Sequence, residues 1–254
     1  HAIVPKTYLP TYREFYEGRH FTPASAVDPS SVRIDSQVVP FGTDLIVRRG
    51  DAMIAIEICE DFWTPAPPSS AAAMAGANIL LNLSASNETI GKANWRRDLV
   101  RSQSGRCLAA YAYASAGPGE STADLVFGGH CLIAENGSIL GESRRVGDGR
   151  QPPVFDESAV TVDIDLGRLT HDRRVIGSFH AGHHSADGFR VMELPTPRRI
   201  EPTRVLRRID AHPFVPDESD QLAERCGEVF ALQELGIDRL LRVLKAADEV
   251  GMAV

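Results

Sequence analysis

"AMIAIEICEDFW", residues 52–63, decides the fold. Ala52 to Ile58 is continuously apolar apart from Glu57, the pattern of a strand covered on both faces. It runs into a lone cysteine, Cys59, followed at once by Glu60 and Asp61. Carboxylates beside a thiol oppose its ionisation, because a second negative charge close by is costly. Cys59 is therefore either an inert buried cysteine or a nucleophile that depends on groups from elsewhere in the chain.

The flanking sequence supplies the rest of a βαβ unit. In "PAPPSSAAAMAGA", residues 65–77, a proline-rich turn with Ser69 or Ser70 as N-cap precedes an alanine-rich helix that closes at Gly76. Asn78 to Leu83, "NILLNL", is a second buried strand. Strands joined this way are parallel with a right-handed crossover, so Cys59 and Ser84–Ser86 leave the sheet at the same carboxyl edge, where open α/β sheets bind ligands.

Further along, "KANWRRDLVRSQSGRCLAA" from Lys92 has helical spacing with Trp95, Leu99 and Leu108 on one side, and "AAYAYASAG" reads as a small-residue strand. Asn136-Gly137 between apolar stretches signals a tight hairpin. Val160, Val162, Ile164 and Leu166 alternate with polar partners, predicting a strand with one wet face. From about Pro195 the composition turns to proline and arginine, the pattern of a solvated linker. Beyond it the apolar spacing predicts two short helices broken at Gly227 and Gly236, too small to form a core and so expected to dock elsewhere.

Bulk properties exclude several classes. The chain has 254 residues, 27 Lys+Arg against 34 Asp+Glu, and a net charge of -7. Such a balance repels phosphate backbones, so nucleic acid is not an expected partner. No apolar run approaches the roughly 20 residues of a membrane helix. The four cysteines, Cys59, Cys107, Cys131 and Cys226, are widely spaced without a CxxC pair, which predicts no metal site and a reduced, cytoplasmic protein. His180, His183 and His184 in "FHAGHH" lack a carboxylate in register and read as a polar loop.

Four ordered motifs together carry a resemblance: "PKTYLPTYREFYEGRHF", "IEICEDFW", "NLSASNETIGK" and "AGPGESTADLVFGGHCLIAENG". They are similar to the nitrilase superfamily, and within it to the glutaminase domain of glutamine-dependent NAD synthetases. The resemblance implies an α/β fold, a nitrilase-like α-β-β-α sandwich that here appears without its first strands, with a C-terminal linker and docking helices. It divides the chain into a glutaminase domain at 1–194, truncated at its N-terminus, and a linker with helices at 195–254 leading to an absent synthetase domain.

The resemblance also implies the chemistry. Glutamine amide hydrolysis through a cysteine thioester would supply ammonia for ATP-dependent NAD synthesis from deamido-NAD. Cys59 matches the nucleophile, Lys6 the oxyanion-stabilising lysine and Glu14 the auxiliary glutamate. Tyr12, Glu60, Ser86 and Lys92 match glutamine contacts, although Ser86 also suits a turn residue capping the next helix. The family's general-base glutamate lies on an early strand ahead of the lysine, and only five residues precede Lys6; Glu57 sits two residues before Cys59 and one step back into the sheet. No cofactor is implied for the glutaminase part; ATP and Mg belong with the synthetase domain of the parent chain, whose "SGGxDS"-like loop is not found before Val254. A homo-oligomer is implied as well. The competing readings are a stand-alone nitrilase-type amidase on a small amide and a non-catalytic fragment.

Overall fold

The computed structural model describes residues 1–27, 30–146, 149, 158–181, 188–195, 205–207, 209 and 219–249. The chain forms two compact units, His1–Arg207 and Arg208–Val254. Residues 205–207 thus go with the first unit: the backbone N–H of Leu206 donates to Asp163, and the Arg207 guanidinium donates to the buried Glu135 carboxylate at 2.9 Å.

The first unit is mixed α/β. Strands β1 (Ser31–Ile34) and β2 (Gln37–Pro40) make an antiparallel hairpin. A seven-stranded sheet contains β3 (Leu45–Arg49), β4 (Ala52–Ile58), β5 (Ile79–Ser84), β6 (Ala110–Ser115), β7 (Cys131–Glu135), β8 (Ser138–Glu142) and β9 (Arg190–Glu193), in the order β8-β7-β6-β5-β4-β3-β9. Its central strands β4, β5 and β6 are parallel, joined by α1 (Pro68–Met74) and α2 (Lys92–Cys107). The Ile58↔Leu83 and Ser84↔Ser115 register brings the carboxyl ends of all three strands to one edge.

Alternation along these strands builds the core. Ala55, Leu80, Tyr111, Tyr113, Leu132 and Ala134 pack with Ala72 and Ala73 of α1 and Val100 and Cys107 of α2. Phe62, from the turn after β4, lies against Tyr111 and Tyr113 with ring centroids 5.1 and 5.7 Å away. Each such pair adds about 0.5–1.5 kcal/mol beyond its buried area. The alternate side chains, Ile54, Ile56 and Ile58, are only half-buried; with Val47, Leu83 and Met192 they line an open apolar concavity of about 690 Å³. β4 is therefore covered on its helix face and open on the other, and the described residues supply one helix-covered sheet of the expected sandwich.

Several local expectations are corrected. Ser69 and Ser70 do not cap α1: Pro67 is the N-cap and Pro68 the first residue, where proline lacks only a donor that would be unpaired anyway. The cap's work falls to Glu57, whose buried carboxylate accepts from the Ser69 backbone N–H at 2.9 Å at the positive end of the helix. The buried face of α2 is Ala93, Arg96, Val100, Gln103, Ser104 and Cys107, while Trp95 is exposed. Polar side chains fill that face because each has a partner beneath it. Gln103, for example, donates to the Ser69 and Ser70 hydroxyls at 2.9 Å.

Val160 and Val162 are part-buried on either side of exposed Thr161, but the alternation ends at part-buried Asp163 and the segment pairs with no strand among the described residues. Their methyl groups lie against Gly141, where a Cβ would come within 2.5 and 2.9 Å of them. Asp165 then ends the extended run by accepting from the Arg168 backbone N–H, and α3 (Leu166–Val175) begins, followed by α4 (Gly177–Ala181). The Asn136-Gly137 turn forms as expected, with φ of +47° and +84°, both positive as a type I′ turn requires.

The second unit holds α5 (Ser219–Glu249), one continuous helix of 31 residues instead of two short ones. Each glycine costs only about 1 kcal/mol relative to alanine, and strong helix formers on both sides outweigh Gly227 and Gly236. Most of the linker stretch and His183 and His184 lie outside the described residues.

Candidate active site

Cys59 is the first residue after β4 and opens the 3-10 turn Cys59–Trp63. Its φ of +49° is left-handed, a conformation that costs a non-glycine residue of order 1–3 kcal/mol and persists only where the surroundings enforce it. Asp61 enforces it here: its carboxylate reaches back to accept from the Ile58 backbone N–H at 3.0 Å. The strand thus ends in a sharp turn with the cysteine at the carboxyl edge of the sheet.

Above that edge lies a cleft of about 390 Å³, lined among others by Tyr12, Glu14, Cys59, Glu60, Ser86 and Lys92. Six of the seven residues singled out from sequence meet there. Lys6 does not line it: its ammonium is paired with the Glu17 carboxylate, and its charge reaches Glu60 and Asp61. No signal in the sequence marks Glu17, which is folded back by the short turn Glu17–Arg19 and a bond from its N–H to the Pro10 carbonyl. The capping reading of Ser86 is also corrected, since Gly91 with φ of +82° is the N-cap of α2 and no side chain caps the helix.

The three acidic neighbours of Cys59 are each engaged. Glu57 turns into the core, where Ser69 and the Tyr111 hydroxyl hold it and burial pushes its carboxyl above the usual range. Asp61 is buried against backbone N–H groups, and burial raises its carboxyl too. Only Glu60 faces the cleft; it accepts from the Tyr12 hydroxyl at 3.0 and 2.9 Å. Burial raises Glu60, opposed by that bond and by the charges of Lys6 and Lys92. Tyr12 in turn is pushed up to about 12, by burial first and then by Glu60, so it remains a hydroxyl donor at neutral pH.

The opposite wall is a relay that sequence reading missed in part. Asn87, 7% exposed, donates through its side-chain amide to Glu14 and accepts from Lys92 Nζ at 2.8 Å. Lys92 also lies 5.2 Å from the Trp63 ring centroid. Burial lowers its ammonium below the usual lysine range, as does the Arg96 charge, while Cys59, Glu88 and Glu14 pull the other way. Lys92 is thus a cleft cation coupled electrostatically to Cys59, placed to offset negative charge developing at the thiol. Asn87 could have been suspected from "SASNETIGK", whose asparagine follows Ser86 at the strand end.

Behind this wall, fully buried Arg96 donates to Glu88 at 3.1 Å and to His130 Nδ1 at 2.8 Å. Arginine has no acceptor, so Nδ1 must accept and Nε2–H must donate to Glu142, also at 2.8 Å. Burial lowers the His130 pKa, and the Arg96 charge adds to this. For a depressed pKa the stabilisation is complete above the unfolded value near 6.5 and is lost as pH falls through the folded value. The unfolding free energy is expected to decline from pH 7.5 to 5.5, and His130→Gln to flatten that decline; parallel denaturant titrations of both proteins check it.

Among the described residues no group of three His, Cys, Asp or Glu is placed to hold a metal, and no helix is long and apolar enough to cross a membrane. No family model matches the chain. Glutamine-dependent NAD(+) synthetase of Mycobacterium tuberculosis (strain ATCC 25618 / H37Rv) is 42% identical over 250 residues, covering 96% of this chain and 36% of that protein. Its Homo sapiens counterpart is 31% identical over 185 residues, 69% of this chain and 25% of that one. A solved glutamine-dependent NAD(+) synthetase from Cytophaga hutchinsonii shares 30% identity and a TM-score of 0.49, over 57% of this chain and 23% of that chain. By sequence the chain is homologous to the glutamine-dependent NAD(+) synthetases, and it spans 36% of the length of the mycobacterial relatives.

Proposed function

We propose that the chain is the glutaminase part of a glutamine-dependent NAD synthetase. The observation that carries this is the meeting of Cys59 with Tyr12, Glu14, Glu60, Ser86 and Lys92 in one cleft, in a chain 42% identical to proteins of that name. The Cys59 sulfur attacks the side-chain carbonyl carbon of glutamine. The C–N bond breaks as the nitrogen takes a proton and leaves as ammonia, and water then hydrolyses the thioester to glutamate and free thiol.

The Tyr12–Glu60 pair and Ser86 bind the amino-acid end of glutamine. Glu14, held by Asn87, positions the amide. Lys92, and Lys6 once released from Glu17, stabilise the oxyanion. The general base implied by the resemblance precedes the counterpart of Lys6 in the family, so it is not assigned to a residue of this chain. The ammonia serves a ligase portion of the parent protein that uses ATP and magnesium to amidate deamido-NAD; the parent is a cytoplasmic homo-oligomer.

A substrate panel tests the reading. The full natural protein should release ammonia from glutamine with kcat/KM at least about 100-fold above that for acetamide or propionamide, because those amides leave the polar groups around Tyr12 and Glu60 unpaired. Equal or better turnover of the simple amides would make it a general amidase.

A further inference from the structure

Asp61 has no assigned part in the chemistry, yet no carboxylate near the cleft is more heavily used. It is 1% exposed and accepts four backbone contacts: Thr7 N–H at 3.0 and 3.3 Å, Tyr8 N–H at 2.8 Å, and Ile58 N–H at 3.0 Å. The donors come from two segments fifty residues apart in sequence. Thr7 and Tyr8 directly follow Lys6; Ile58 directly precedes Cys59. The same side chain therefore fixes the left-handed turn that presents the thiol and the amino-terminal segment that carries the lysine.

We propose that Asp61 is a positioning residue that locks the Lys6 segment against the Cys59 turn, so that the ammonium, paired here with Glu17, is delivered toward the thiol from a fixed stretch of backbone once that pair opens. Its alternative is a burial-tolerant cap of the turn alone. The Thr7 and Tyr8 bonds speak against that, since a cap needs only Ile58. Backbone donors converging on one buried carboxylate give charge-assisted bonds, stronger than neutral ones, and the acceptor cannot be removed without leaving three N–H groups unpaired. An aligned pair loses about 100-fold in rate when one member shifts by about 1 Å, so the lock matters for turnover even though Asp61 touches no substrate.

The proposal rests on the glutaminase reading for its effect on turnover but not for its effect on the thiol. The test is a double-mutant cycle in the full natural protein with Asp61→Asn, Lys6→Met and the double variant. Two rates are read, alkylation of Cys59 by iodoacetamide and kcat for glutamine. If Asp61 acts through Lys6, each single variant slows alkylation about tenfold and the double variant is no slower than the worse single, because coupled sites are not additive. Multiplying losses, or an Asp61→Asn protein that alkylates like wild type, overturns the proposal.

Thr7→Pro serves if Asp61→Asn does not fold. It deletes one donor from the lysine segment without touching the turn, and it should slow alkylation in the same direction; no change counts against the lock. Coupled alkylation losses in a protein that never hydrolyses glutamine would sink the glutaminase reading and leave the lock standing. Glutamine turnover with independent losses would do the reverse.

Discussion

Replacing Cys59 by alanine in the full natural protein is expected to lower glutamine hydrolysis by at least about 10⁴-fold in kcat, while NAD formation from free ammonia is retained. The size follows from the removal of the attacking atom itself: with no sulfur there is no thioester, and the remaining groups in the cleft can only bind and polarise the amide. Retention of the ammonia reaction follows from where Cys59 sits. It closes no core contact, lines the cleft, and its turn is held by the Asp61 carboxylate through main-chain bonds that alanine leaves untouched. Loss of both activities would mean that the residue serves folding or assembly. Parallel assays with glutamine and with ammonium chloride as nitrogen donors separate the outcomes.

The second large effect is on stability. Arg96→Ala is expected to cost about 3–5 kcal/mol, the range for breaking a buried ion pair by removing one partner. Arg96 is fully buried, bonds Glu88 through both terminal nitrogens, and stacks 5.6 Å from the Tyr113 ring centroid. Its loss leaves the Glu88 carboxylate and His130 Nδ1 without their donor and opens a cavity under α2. Arg96→Lys recovers little, because a single ammonium lacks the planar fork that sets two nitrogens on Glu88 Oε2 while one of them also reaches the imidazole. Denaturant midpoints of the three proteins measure the effect; a change under about 1 kcal/mol would show that the pair is already solvated.

How far the chain could be read in advance depended on whether a pattern was local. The βαβ unit was legible because apolar runs at Ala52–Ile58 and Asn78–Leu83 and an alanine-rich helix have periods that sterics and solvent impose directly. Asn136-Gly137 was legible because its two positive φ angles need those residue types. α2 was misread because its buried face holds Arg96, Gln103 and Ser104, and a polar core face looks like a wet one until its partners are known. β3 and β9 pair across more than 140 residues of sequence, a relation that no local window contains.

The site divides in the same way. Cys59, Tyr12, Glu14, Glu60, Ser86 and Lys92 share one cleft because the ends of β4 and β5 and the segment after Lys6 converge there. Asn87 went unread, and Asp61 was read only as an acid beside the thiol, because their roles lie in bonds made over long separations: 73 residues from Glu14 to Asn87, and 54 from Thr7 to Asp61. The pairing of Lys6 with Glu17 had no local signature either. The puzzle of a thiol set among acids also has a long-range answer, since Glu57 and Asp61 turn away to cap a helix and a turn, leaving Glu60 to Tyr12.

The central claim is that the Cys59 sulfur forms the covalent bond to substrate. Mass spectrometry of the full natural protein incubated with a glutamine-mimicking diazoketone tests it most directly. One adduct per chain on the peptide containing Cys59, suppressed by excess glutamine, is the predicted result. Labelling of Cys107, Cys131 or Cys226 instead, or labelling that glutamine does not suppress, would contradict it.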